Sequence, residues 1–157
     1  MVRLKFFNPD DLFGLNYVLD DNQQLFTASV EKALENIKER KGKNAFPVTI
    51  LKDENPVGFF VLDFGEDKLE MTDNENAVLI RSLSVNPDMQ GKGIGKAAMI
   101  KVDDFVKENF RHCNEIVLAV NQKNESAYHI YIQAGYSYDG KTRIGRSGPQ
   151  YLMHKKL

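Results

Sequence analysis

The stretch Ala77-Val-Leu-Ile-Arg-Ser-Leu-Ser-Val85, followed by Asn86-Pro-Asp-Met-Gln-Gly-Lys-Gly-Ile-Gly-Lys96, decides the fold. Its first nine residues carry apolar side chains on both sides, the pattern of a strand covered on two faces at the centre of a sheet. Asn86-Pro87-Asp88 ends that strand, because proline donates no ladder hydrogen bond and its neighbours favour turns. Beyond the glycines, Ala98, Val102, Phe105 and Val106 share one helical stripe and predict a helix from about Gly93 to Phe110. Glu115 to Val120 (EIVLAV) reads as a second buried strand. Strand, helix and strand in this order form a βαβ crossover, expected to be right-handed.

On the amino-terminal side, Val2 to Phe7 reads as a short strand closed by Asn8-Pro9-Asp10, and Asp10 or Asp11 caps a helix running to about Leu19. Ser29 precedes a clearer helix, in which Val30, Ala33, Leu34 and Ile37 recur at helical spacing. Gly42 stops it, with Lys38, Arg40 and Lys41 near its negative end. Phe46 to Leu51 and Pro56 to Phe64 are strands of a hairpin turned by Lys52-Asp53-Glu54-Asn55. Gly65 to Asn76, acidic and polar, reads as a loop. On the carboxy-terminal side, Asn121 to Ala134 reads as a helix stopped by Gly135. Tyr136 to Ser137 and Gln150 to Lys155 supply the last strands. The order β-α-α-β-β-β-α-β-α-β-β describes an α/β chain: a mixed central sheet of about six to seven strands flanked by about four helices. Its length, 157 residues, fits one domain over 1–157.

Composition narrows the function. Lys plus Arg (21) nearly balances Asp plus Glu (22), so no global field attracts nucleic acid or an anionic membrane. One cysteine, Cys113, makes neither an internal disulfide nor a thiolate zinc cluster, and it reads as a packing residue. His112, His129 and His154 lack ligand spacing, so no bound metal is expected. No apolar run approaches membrane-spanning length, and the polar amino terminus lacks a leader's apolar core. The expected location is the cytoplasm.

The glycine-rich turn carries the chemistry. A helix start offers up to four unpaired amides and a partial positive charge. Gly91, Gly93 and Gly95 remove the side chains that would hold a bulky anion away, and Lys92 and Lys96 add positive charge. As mere connection this is a poor choice, since a glycine in regular structure costs roughly 0.5–1 kcal/mol relative to alanine. The turn suits a phosphate or diphosphate. It lacks the spacing of a Walker loop or of a Rossmann fingerprint.

What the motif does resemble is the coenzyme A signature of the GNAT-type N-acetyltransferase superfamily, Gln/Arg-x-x-Gly-x-Gly/Ala. Gln90-Gly91-Lys92-Gly93-Ile94-Gly95 matches it after the lead-in Val85-Asn86-Pro87. A second family pattern follows, Asn124-x-x-Ala127-x-x-x-Tyr131-x-x-x-Gly135-Tyr136. The resemblance spans nearly the whole chain and implies the acyl-CoA N-acyltransferase fold, with acetyl-CoA as co-substrate. It also implies that the backbone of Leu83, Ser84 and Val85 pairs with the pantetheine arm and that the Leu83 amide faces the thioester carbonyl. Amides from Gly91 through Lys92, Gly93, Ile94 and Gly95 to Lys96, with Gln90 beside them, would hold the diphosphate. Asn124, and more weakly Asn121, would contact the coenzyme, and Tyr131 would lie near the sulfur. Those roles make chemical sense. A pre-aimed amide stabilises developing oxyanion charge. A phenol with a pKa of about 10 is protonated at neutral pH and can give its proton to a departing thiolate. The expected reaction is direct transfer to a primary amine.

One family feature is missing. Many members carry a carboxylate in the strand before the coenzyme loop, and Leu79-Ile80-Arg81-Ser82-Leu83 has none. The amine's proton must leave through water or through a carboxylate elsewhere, such as Asp20, Asp21 or Glu31. Arg81 either forms a salt bridge or lies on a solvated edge or, if it turns toward the acceptor cleft with Leu79 and Leu83, clamps a carboxylate of an amino acid or similar small zwitterion. Against that, Asp20-Asp21 and the acidic loop (Glu66, Asp67, Glu70, Asp73, Glu75) suit a polyamine, and residues 20–26 resemble a segment of bacterial polyamine acetyltransferases. Acetylation of a protein amine and a non-catalytic coenzyme sensor are further alternatives. A homodimer through Gln150 to Met153 is left open.

Overall fold

The computed structural model describes residues 1–40 and 42–157. Seven strands form one mixed sheet: β1 (Val2–Phe6), β2 (Ala45–Lys52), β3 (Asn55–Asp63), β4 (Ala77–Val85), β5 (Glu115–Asn121), β6 (Ser137–Gly145) and β7 (Gly148–Lys156). Their spatial order is β1-β2-β3-β4-β5-β7-β6, so β4 holds the centre as its two-sided apolar sequence requires. Every neighbouring pair is antiparallel except β4 and β5. The helices are α1 (Leu12–Leu15), α2 (Asp21–Phe26), α3 (Val30–Glu39), α4 (Ile94–Asn109) and α5 (Glu125–Gln133).

The two faces of the sheet carry different cores. Val78, Ile80, Ile116, Leu118 and Met153 pack with Ala98, Met99, Val102 and Val106 of α4 and with Tyr131 of α5. The other face places Phe59 and Val61 against Leu15, Val30 and Ala33 of α1 and α3. Further along it, Leu79, Val117 and Leu152 gather with Met71.

Several boundaries differ from the sequence expectations. Asn8, rather than Asp10 or Asp11, caps the first helical turn: its side chain accepts from Asp10 N, and the Asp11 carboxylate accepts from Asn8 N. That helix does not run to Leu19 but ends at Leu15, and a separate short α2 follows, capped by the Asp20 carboxylate. The Ser29 cap is as expected, but α3 ends at Glu39, ahead of Gly42. Arg40 leaves the helix with extended backbone and sends its guanidinium to Asp63. Lys41, expected near that helix end, lies outside the described residues. Gly65 to Asn76 contains a 3-10 turn over Glu66–Glu70. The carboxy-terminal strands are longer than predicted and form a hairpin, Ser137–Gly145 with Gly148–Lys156. α5 begins at Glu125, because Asn121 still belongs to β5.

Asp63 pins these layers together. Its side chain is 1% exposed and accepts two bonds from Arg40 at 2.8 Å, one from Arg81 at 3.0 Å and one from the Gly65 amide at 2.7 Å. Burial alone would raise its carboxyl, but the bonds from Arg40, Gly65 and Arg81 outweigh it and hold the pKa below the ordinary 3.8. The resulting stability is held in full above the unfolded chain's value and is lost as pH falls through the lower folded one. Asp63→Asn is expected to cost roughly 2–3 kcal/mol, at the low end for a buried pair because both arginines keep contact with water. Urea unfolding at pH 7 and at pH 3 checks it: the difference between wild type and variant should shrink at the lower pH.

Candidate active site

The central feature is a fork between β4 and β5. They pair in register only at Ala77, Val78 and Leu79 with Glu115, Ile116 and Val117, and then separate. β5 stays with β7 along its whole length. β4 stays with β3, where an irregularity between Phe59 and Val61 sets Ser82 and Leu83 opposite one residue. Ser82 there has φ +59°, an uncommon conformation for a residue with a side chain. Such a bulge bends and twists its strand away from the regular ladder.

The bulge also resets which side chains face which layer. Arg81 reaches Asp63 and Asp67 on the α3 side. Leu83, expected to point the same way as Leu79 and Arg81, instead packs against the core on the α4 side. The extra residue reverses the alternation beyond it. Ser84 accordingly faces the α1 side, buried, with its hydroxyl 2.7 Å from that of Tyr17. Burial pushes the Tyr17 phenol up to about 12, against the opposing pull of that bond.

Beyond the fork, Asn86 caps a short 3-10 turn, and the chain passes through Gly91 and Gly93, each with φ +76°. Ile94 plugs the turn into the core at 2% exposure, while Gly91, Lys92, Gly93 and Lys96 are exposed. The first α4 bond runs from Ala97 N to Gly93 O, which leaves the preceding amides without helical acceptors. A Cβ added at Gly91 or Gly93 would meet nothing within 4 Å, and one at Gly95 would meet only Ile130 Cδ1 at 3.7 Å. Sterics inside the chain therefore do not demand glycine at position 95. The space stands open for something outside it.

One side chain and one backbone amide expected at a ligand are engaged within the chain. Gln90 turns back, and its Nε2 donates to Val85 O at 3.3 Å. The Val85 amide is held, at a long 3.4 Å, by Gln23 Oε1 of α2, while Gln23 Nε2 is buried with no partner among the described residues. Sequence reasoning missed Gln23; nothing in a polar DNQQLF segment marks which residue reaches the sheet. From α2 the Leu25 carbonyl accepts from Ser147 Oγ at 2.6 Å in the β6–β7 turn. α2 thus spans from the β4 arm of the fork to the hairpin.

Tyr131 lies in the same apolar cluster as Leu83, 7% exposed, its ring edge-on to Tyr136. Burial pushes its phenol above the ordinary value of 10. Asn124 caps α5 through Ala127 N. Asn121 accepts from Lys123 N and donates to Ser147 O. Both asparagines therefore have structural duties. Asp20, Asp21 and Glu31 are exposed on the helices, and the Asp20 carboxylate is engaged at its cap. Cys113 is buried, its thiol raised by that burial and bonded to Glu115 O, as a packing residue should be. Among the described residues no three His, Cys, Asp or Glu side chains gather as metal ligands.

A forked central sheet whose inner arm ends in a glycine-lined helix start defines the fold, and comparison with known proteins gives its family. The model of the Acetyltransferase (GNAT) family matches residues 15–136, and the chain belongs to that family. Over 161 residues it is 37% identical to the Uncharacterized N-acetyltransferase YbbJ of Bacillus subtilis (strain 168), covering 99% of this chain and 98% of that one. It is similar in fold to spermidine N-acetyltransferase from Vibrio cholerae in complex with CoA and spermine, at 18% identity and TM-score 0.72, over 99% and 95% of the two chains. The aminoglycoside acetyltransferase AAC(6')-Ib in complex with coenzyme A and kanamycin gives 17% identity and TM-score 0.79, again over 99% and 95%.

The glycines make a stability test. Gly93→Ala forces a left-handed alanine and is expected to cost about 1–2 kcal/mol. Gly95→Ala, in the first turn of α4, is expected to stabilise by about 0.5–1 kcal/mol. Urea unfolding of both variants should show changes of opposite sign.

Proposed function

We propose that the chain is an N-acetyltransferase that moves the acetyl group of acetyl-CoA directly onto a primary amine of a small molecule. One observation carries it: the fork leaves the edge of β4 beyond Leu79 unpaired by β5 and leads straight to the open amides at the start of α4. The bound coenzyme would supply an activated acetyl group on a thiol leaving group. The chain's own residues do the rest. Amides from Gly91 to Lys96, with the helix's positive end, hold a diphosphate in space that a Cβ would fill. Leu83, Ser84 and Val85 offer backbone to an extended amide-bearing arm, as an added strand would be held. The Leu83 amide stands as donor to developing oxyanion charge. Tyr131, kept protonated by burial, would give its proton to the departing thiolate and regain one, through water, from the proton that the attacking amine sheds. Asn121 and Asn124 shape the end of β5 and the start of α5 on the far arm, where Asn124 foremost would contact the coenzyme. The coenzyme A in the complexes of two proteins with this fold supports the assignment.

Two expected outcomes follow from these roles. Tyr131→Phe should lower kcat by roughly 10²-fold or more with little change in coenzyme affinity, read by thiol release over a broad amine panel. Wild type that binds coenzyme but releases no thiol with any amine would favour a sensor instead. Since Gln23 occupies the Val85 amide, Gln23→Ala should tighten coenzyme A binding several-fold by calorimetry, the size of one net hydrogen bond. Weaker binding would show that Gln23 holds the coenzyme rather than its place.

A further inference from the structure

On the α3 side of the fork lies a cleft of about 340 Å³, at the small end of the range for ligand clefts. It is lined by Leu79, Arg81, Asp67 and Glu70, together with Arg143 and Arg146 of the β6–β7 hairpin. Leu79 is the last β4 residue paired with β5, so the cleft opens where the fork begins. Three guanidiniums from two distant parts of the chain meet there.

Their bonding is incomplete in a specific way. Arg81 spends only Nη1, on Asp63 and Asp67 at 3.0 and 2.9 Å. Arg143 spends Nε on Gln150 Oε1 at 2.8 Å and Nη1 on Glu70 Oε2 at 2.7 Å. Arg146 is exposed and takes no hydrogen bond or ion pair among the described residues. Within the cleft, three arginines face two carboxylates, Asp67 and Glu70, which leaves one positive charge. Asp63, behind them, is already matched by Arg40 through two bonds. The acidic loop that a polycation would need is thus partly neutralised: Asp67 and Glu70, though exposed, are each paired to an arginine.

We propose that this cleft is the acceptor site and that it selects a small amine carrying one carboxylate, as in an amino acid. The inference rests on the acetyltransferase assignment and narrows it. A planar guanidinium fork matches a planar carboxylate with paired bonds. A single uncompensated charge suits a monoanion. Arg146, unpaired on the hairpin, is the principal gripping residue, and Arg81 and Arg143 offer their remaining N–H groups beside it. The carboxylate sits toward the hairpin, and the amine then points along β4 toward Leu83.

The test sets free α-amino acids against the corresponding amino acid amides, with spermidine as a cationic competitor, in acetyl-CoA thiol release. The acid should exceed its amide at least tenfold in kcat/KM. Arg146→Ala should raise KM for the acid about tenfold while leaving KM for acetyl-CoA and for the amide unchanged, so that the preference collapses. Preference for the amide or for spermidine, or an equal effect of Arg146→Ala on both members of a pair, overturns the inference. A second arm needs no turnover: calorimetric titration of the protein with N-acetylated amino acids and with their amides. Tighter binding of the acid, lost in Arg146→Ala, supports the cleft, and equal binding overturns it. Failure of acetyl-CoA to bind would instead strike the acetyltransferase assignment, and the two failures are distinguishable.

Discussion

The parting of β4 from β5 after three paired residues is the constraint on which the other features depend. β4 keeps its hydrogen bonds to β3, and β5 keeps its own to β7, so neither strand has to leave its sheet. What is given up is the ladder between them, along Ile80 to Val85. The bulge at Ser82–Leu83 makes that loss local, because one extra residue supplies the twist that bends β4 away. Without it, Leu83 would face α3 and Ser84 would face α4, and the Tyr17–Ser84 bond would be broken. The glycine turn lies at the tip of the bent arm and inherits its direction.

Polar groups around this fork are treated unevenly. Asp63 is fully engaged and fastens Arg40 and Arg81 to the buried end of β3. By contrast, Asp103 Oδ1, Tyr136 Oη and Gln23 Nε2 are buried without partners among the described residues. Native proteins leave few such groups, since each carries a desolvation cost. Tyr136 packs its ring against Tyr131, and Asp103 lies close enough to raise the Tyr136 phenol further. Buried polar atoms left unmatched thus border the fork on one side and Tyr131 on the other.

Much of this was legible in the chain. Ala77 to Val85 announced a central strand through apolar side chains on both sides, and the alternate glycines before a strong helical stripe announced the turn. The two family motifs carried the superfamily. The bulge was not legible: Ser82-Leu83 obeys ordinary alternation in sequence, and only the three-dimensional register turns Leu83 over. The hairpin of β6 and β7 was underestimated because Tyr138 to Gly148 is charged and glycine-rich, with few apolar residues to mark a strand. Arg143 and Arg146 went unnoticed as site residues for the same cause. Their meeting with Arg81 depends on a sheet order that places β7 and β6 beyond β5, and no local spacing encodes that. Asp20 and Asp21 stood out by charge, yet helix α2 keeps them at the surface.

The glutamines on Val85 have a consequence for solubility. An unpaired stretch of strand is a template on which any extended polypeptide can add itself, and such edges seed misassembly. Here the edge is interior, recessed between two arms. Gln23 from above and Gln90 from the following turn close its last amide and carbonyl with side-chain amides that imitate a neighbouring backbone. α2, tied to the hairpin through Ser147, lies beside this edge. The same two residues therefore cap the end of this edge against strand addition at Val85.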